Sequence, residues 1–318
     1  MKNIESKQLA NTVLMVRPVD FCFNEETALD NEFQNVMEIS NDEVNKKALD
    51  EFENMVKILR ENNINVLVLE KNQEIKTPDA VFPNNWFSTE HDGTIITYPM
   101  CAKNRRTEKN QLLALEKLLD ENNYQIKNII NIGKQSEDKL FLEGIGSLIL
   151  DHDNKYFYVA ESIRSNPIQL NNFIDVRNYK KGVLFQAKSS NQKSIYHTNV
   201  IMSVAEKFAV VCFECINNEN EKDLLRNTLL ESKEIIEITM EQMEKSFCGN
   251  VLQVKSINGN PITIMSKTAY LGFNKKQLDT IKKYGEIVFV DISTIEKVGG
   301  GSARCMMAEI FLPKNINL

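Results

Sequence analysis

One pattern recurs along the chain and restricts its architecture more than any single motif. Two short β-branched runs joined by a turn are followed by an amphipathic helix and then by another β-branched run. The spacing predicts helices over Val44–Asn62, Arg105–Asn122, Glu219–Glu231 and Asn274–Lys283, with a shorter one near Pro167–Asn172. They lead into NVLVLE, QIKNIIN, EIIEIT, GEIVFVDIS and GVLFQA, in that order. D-G, D-N and N-G pairs sit where the intervening hairpins should reverse. This makes about five units of roughly 50–60 residues each. A unit of this kind cannot bury its sheet face alone, so the units are expected to pack around a shared axis as an α/β propeller. The whole span 1–318 is read as one catalytic domain.

The segment after each helix-following strand carries unusual chemistry: DAVFPNN at 79–85, FLEGIG at 141–146, YHTN at 196–199, FCGN at 247–250 and GGGSARC at 299–305. Equivalent positions of a ring converge on its axis, so these segments would meet in one pocket. Cys305 follows three glycines that permit close backbone approach to a ligand, although a buried cysteine after a flexible loop is a common packing feature. A functional cysteine needs its thiolate stabilised and a proton donor nearby. The chain has three histidines. His91 and His152 lie at expected hairpin tips and read as exposed turn residues, whereas His197 enters an apolar strand. Glu143 is a carboxylate in an apolar run, which requires a partner or a cationic ligand. Cys212 and Cys215 lie in AVVCFECI and read as strand-end packing.

Together these motifs resemble the guanidino-group-modifying (pentein) superfamily. LEG at 142–144 is similar to its E-G-G element, with Ile145 in place of the second glycine. HTN at 197–199 resembles its H-x-D, and GGGSARC resembles its C-terminal loop and nucleophile. VRP near the start and FPNNWF at 82–87 look most like the citrulline-utilisation hydrolase branch. The resemblance implies Cys305 as nucleophile, His197 as general acid/base and Glu143 as a carboxylate that hydrogen-bonds either His197 or the substrate's nitrogens. In arginine-processing members, two axial carboxylates grip the guanidinium. Here those slots read Asn85, with Asn84 beside it, and Asn199. A guanidinium offers only donors and a charge, whereas a ureido group is neutral and also carries an acceptor. The amides therefore favour a ureido substrate, L-citrulline, hydrolysed to ornithine, ammonia and carbon dioxide. Asp79 either binds a substrate nitrogen or caps a turn. Arg164, Arg106 and Arg17 are candidates for the α-carboxylate, since an arginine fork grips carboxylates in bidentate fashion.

Composition narrows the field. Net charge is -6 and no long basic block exists, which argues against nucleic acid. No apolar run approaches ~18 residues and the N-terminus is polar, so a cytoplasmic protein without a membrane segment is expected. No cofactor or metal is expected, because no two histidines have ligand spacing. The expected partner is a small amino acid, and homo-oligomerisation stays open. The alternatives are a guanidino hydrolase of the arginine deiminase or dihydrolase type, an amidinotransferase, and a non-catalytic pentein.

Overall fold

A computed structural model describes residues 7–70, 75–135 and 139–315. Residues 1–6, at the start of the stretch read above as polar, lie outside the described residues. Five three-stranded sheets are present, each with an antiparallel pair extended by a parallel third strand. The sheets from second to fifth follow chain order. They are Phe87–Thr89, Thr94–Thr97 and Asn128–Asn131; Ile149–Asp151, Tyr156–Ala160 and Lys181–Phe185; Met202–Val204, Phe208–Val211 and Glu234–Glu237; and Leu252–Lys255, Pro261–Ser266 and Glu286–Val290. The first sheet closes the ring. Thr12–Val16 pairs in parallel with Asn65–Leu69 and antiparallel with Ala308–Glu309, so the last strand completes the first unit. The repeat is that of a five-unit α/β propeller.

The parallel third strand needs a crossover, and in each unit a helix supplies it. Asn41–Glu61 begins at a Ser40–Glu43 capping box and buries Val44, Ala48, Phe52, Met55, Val56 and Leu59, a stripe at three- and four-residue spacing. Lys275–Lys283 starts at an Asn274–Gln277 capping box. Pro167–Val176 starts with Pro167 behind an Asn166 cap and runs a turn further than its sequence pattern suggests. Glu219–Leu230 ends one residue short of expectation. The helix expected from Arg105 begins only at Leu112. Ahead of it the backbone makes tight turns, Arg105 N–H to Ala102 O and Glu108 N–H to Arg105 O, that turn the Arg105 side chain inward.

Cys212 and Cys215 are buried in the fourth unit's core, where Cys215 Sγ donates to Cys212 O at 3.0 Å. No helix among the described residues is long and apolar enough to cross a membrane.

Candidate active site

Each unit enters its first strand through a short stretch at the axis, and in four of the five this is a single helical turn. These are Pro83–Asn85, Gly144–Ser147, Thr198–Ile201 and Ala303–Met306; in the remaining unit the stretch is 247–250. The unusual segments of the sequence occupy these positions. Close approach of the turns requires a residue without a side chain. A Cβ on Gly146 would collide with Asn85 Nδ2 and stand 2.7 Å from His197 Cε1.

Glu143 is fully buried. Its Oε2 accepts from His197 Nε2 at 2.8 Å and from Arg164 Nη1 at 3.2 Å, and its Oε1 accepts from the Cys101 N–H at 2.8 Å. Burial alone would raise its pKa, but Arg164 and His197 together hold it well below the usual carboxylate range. A carboxylate only accepts, so the proton in the His197 bond sits on Nε2, and Nδ1 is the nitrogen left for proton transfer. Burial pushes the His197 pKa down, against the pull of Glu143, so the resting ring is neutral.

Asp79, Asn85, Arg105, Arg164, His197 and Cys305 line one small cleft of about 270 Å³. Asp79 Oδ2 accepts from Asn24 Nδ2 at 2.8 Å and Thr27 Oγ1 at 2.9 Å, while its buried Oδ1 has no protein partner. Arg105 Nε and Nη2 grip Glu108 at 2.7 and 3.0 Å, and Nη2 also donates to Phe82 O at 3.1 Å. Its Nη1 donates to Asn85 Oδ1 at 2.9 Å. Because a guanidinium cannot accept, this bond fixes the Asn85 amide with its oxygen toward Arg105. Asn85 Nδ2, buried and unpartnered, is the donor that remains. Cys305 lies beside Asn199 Nδ2 at 3.4 Å and Asn250 Nδ2 at 3.1 Å, and burial pushes its thiol pKa up.

Cys305, His197, Glu143, Asp79, Asn85 and Arg164 therefore come together, although not every expected contact forms. Asn84 lines a separate cavity with Arg304, His152 and Glu309. Successive residues of a tight turn point apart, which separates Asn84 from Asn85. Asn199 sits beside the sulfur and is not a lining residue of the cleft. Arg164 lines the cleft, but Asp30 occupies its Nε and Nη2 at 2.7 and 2.5 Å and Glu143 occupies Nη1, so it orders carboxylates of the protein itself. Arg106 points away, donating to the carbonyls of Met100 and Cys101 at 3.1 and 3.2 Å and lying over Phe141. Its neighbour Arg105 reaches the cleft instead. Arg17 pairs with Glu53 and Glu70 on the rim of the first unit and stays outside the cleft. His152 is buried, against the expectation of an exposed turn. It packs on Phe311 at 4.5 Å between ring centroids, and burial drives its pKa down to about 3.

The sequence offered no signal for the cover of the cleft. Asn24, Thr27, Asn31 and Gln34, from the irregular stretch 17–40, hydrogen-bond Asp79 and the glycine loop, with Asn31 Nδ2 3.3 Å from Gly299 O and Gln34 Nε2 3.2 Å from Val298 O.

The family model described as N,N dimethylarginine dimethylhydrolase, eukaryotic, matches residues 17–312. No curated protein matches the chain. Among solved structures, unliganded ArgZ, an arginine dihydrolase of the cyanobacterial ornithine-ammonia cycle, aligns with a TM-score of 0.70 at 14% identity over 96% of this chain and 41% of its own. Unliganded AgrE aligns with a TM-score of 0.69 at 16% identity over 96% and 40%. A cysteine-to-serine mutant of Pseudomonas aeruginosa DDAH complexed with citrulline aligns with a TM-score of 0.64 at 15% identity over 94% and 99%. The chain thus spans well under half the length of ArgZ and AgrE, and nearly all of the DDAH chain.

Proposed function

The chain belongs to the N,N-dimethylarginine dimethylhydrolase family, and from that premise we propose that it is a cysteine-dependent C–N hydrolase whose substrate is the ureido group of L-citrulline. The observation that carries the choice of substrate is the orientation of Asn85. Arg105 takes its oxygen, so the group this cleft-lining amide has left to offer, packed against Gly146 near His197, is a donor. A donor suits a ureido carbonyl and conflicts with a guanidinium, which has no acceptor. Asp79 Oδ1 supplies the acceptor for a ureido N–H. The remaining charges are largely matched inside the protein: Arg105 with Glu108, and Arg164 with Glu143 and Asp30.

Cys305 Sγ attacks the ureido carbon as the thiolate, forming an S–C bond, and the carbonyl electrons move onto oxygen, where Asn85 Nδ2 donates. His197 Nδ1, which carries no proton in the resting ring, takes one from a solvent water and passes it to the departing nitrogen as its C–N bond breaks. A carbamoyl-type thioester remains. The hydroxide left by that water adds to the thioester carbon and expels the sulfur as thiolate, and the carbamic acid so formed breaks its remaining C–N bond to release carbon dioxide and the second amine. Citrulline and one water thus give ornithine, ammonia and carbon dioxide.

A second reading, hydrolysis of arginine, draws support from Asp79, whose open carboxylate oxygen would also meet a guanidinium N–H. Incubating the chain with each amino acid and quantifying ornithine and ammonia separates the two. Equal ornithine and ammonia from citrulline, with arginine turned over more slowly, is the expected result. No ornithine from citrulline would overturn the proposal.

A further inference from the structure

The segment FCGN at 247–250, which leads into the strand Leu252–Lys255, lies at the axis beside the other four, and the mechanism above assigns it nothing. We infer that the Asn250 side-chain amide holds Cys305 Sγ and stabilises its thiolate, a reading that rests on Cys305 being the nucleophile. Phe247 closes the helix Met240–Ser246 in a left-handed conformation, φ 52°, and turns the chain back toward the axis. Gly249 then packs on the turn Thr198–Ile201, where a Cβ would collide with Val200 O. This approach delivers Asn250, 1% exposed, between the segments carrying His197 and Cys305.

All the polar atoms of its amide are engaged. Oδ1 accepts from the Arg304 N–H at 3.1 Å, and Nδ2 donates to Asn199 O at 2.9 Å and to Cys305 Sγ at 3.1 Å. A backbone N–H cannot accept, so Arg304 orients the amide and the nitrogen must face the sulfur. Asn199 Nδ2 is a second, longer donor at 3.4 Å. Among the described residues these two amides are the side-chain donors to Sγ, and no imidazolium or guanidinium bonds it directly. When the S–H bond ionises, the proton leaves to solvent and the electron pair stays on sulfur. Negative charge then grows in a buried site, where a fixed N–H donor bonds the thiolate more strongly than the thiol. Burial lifts the thiol pKa, and the Asn250 bond is among the contacts that oppose the rise. This matters most for a neutral substrate, which brings no cation of its own to favour the thiolate.

The test reads the sulfur without substrate. Thiolate absorbance in the ultraviolet is titrated against pH in the full chain, N250A and N250D, each taken as the difference from its C305S counterpart. Alkylation of Cys305 by iodoacetamide is followed by peptide mass. N250D keeps an acceptor for Arg304 and removes the donor. Both variants should lower the thiolate fraction and the alkylation rate at a given pH by roughly ten- to a hundredfold, the loss of one charge-assisted bond. Unchanged titration in a folded variant would overturn the inference. If both variants unfold, the unaltered chain decides. The Asn250 side-chain amide proton resonance should move with the Cys305 titration and stay fixed in C305S, and an amide that does not respond to sulfur ionisation would equally overturn it. Citrulline plays no part in these readouts, so failure of the substrate proposal leaves them standing, and their failure leaves citrulline turnover to be judged separately.

Discussion

The substitution Asn85→Asp changes the one group that separates a ureido from a guanidino reading. The new carboxylate would keep an oxygen for Arg105 Nη1, which now bonds Asn85 Oδ1 at 2.9 Å. Its other oxygen would stand where Nδ2 stands, so a ureido carbonyl would meet a lone pair instead of an N–H. The resting fold loses no bond, because Nδ2 has no protein partner. The transition state loses one donor, about 0.5–1.5 kcal/mol, and gains an unmatched buried acceptor, about 1–3 kcal/mol. Together these come to about 1.5–4.5 kcal/mol, or roughly 10- to 2,000-fold in kcat/KM for citrulline, a span that includes the loss of one oxyanion donor. Arginine should gain relative to citrulline, because the cleft would acquire a second carboxylate. The assay is ornithine formation from each amino acid under first-order conditions, with a denaturant midpoint to confirm folding. A citrulline kcat/KM within about threefold of the unaltered chain would refute the reasoning.

Three further outcomes follow from the same geometry. Glu143→Gln should lower kcat by roughly a hundredfold or more through loss of His197 orientation, and should also lower the urea midpoint because it breaks a buried ion pair worth about 3–5 kcal/mol. A stable variant with normal kcat would show that Glu143 does not orient the ring. Arg105→Met should raise KM and lower kcat together, because Asn85 and Glu108 lose their anchor, whereas Arg106→Met should leave KM near its starting value; steady-state kinetics on the pair checks this. The Cys305 pKa is raised from an ordinary 9.0, so the thiol is protonated at neutral pH and its reactive fraction grows with alkalinity. Below that raised midpoint, kcat/KM should climb by about tenfold per pH unit, and a flat profile between neutral pH and 9.0 would contradict it.

Much of this site is legible in the sequence because it lies on a repeat. The five axial segments stand at equivalent places after their strands, so Cys305, His197 and Glu143 can be brought together from periodicity and chemistry, and the family likeness adds their roles. What periodicity cannot resolve is the direction of side chains in irregular turns. Asn84 and Asn85 differ by one residue, and the tight turn sends each to a different cavity. Arg105 and Arg106 are equally basic, and only Glu108 together with the carbonyls of Asp79 and Phe82 selects Arg105. Asn24 and Thr27 come from a stretch without period, so their bonds to Asp79 have no local signature. His152 reads as a turn residue, yet Gln8, which accepts from its backbone N–H at 2.8 Å, comes from the far end of the chain.

The central claim is that a donor on Asn85 receives the carbonyl of a ureido substrate over Cys305. A crystal structure of the Cys305→Ala variant with L-citrulline tests it most directly. The ureido oxygen should lie within hydrogen-bonding distance of Asn85 Nδ2, with a ureido nitrogen at Asp79 Oδ1 and the ureido carbon facing residue 305. A ureido group bound away from that position, or an Asn85 amide turned to present its oxygen to the ligand, would contradict it.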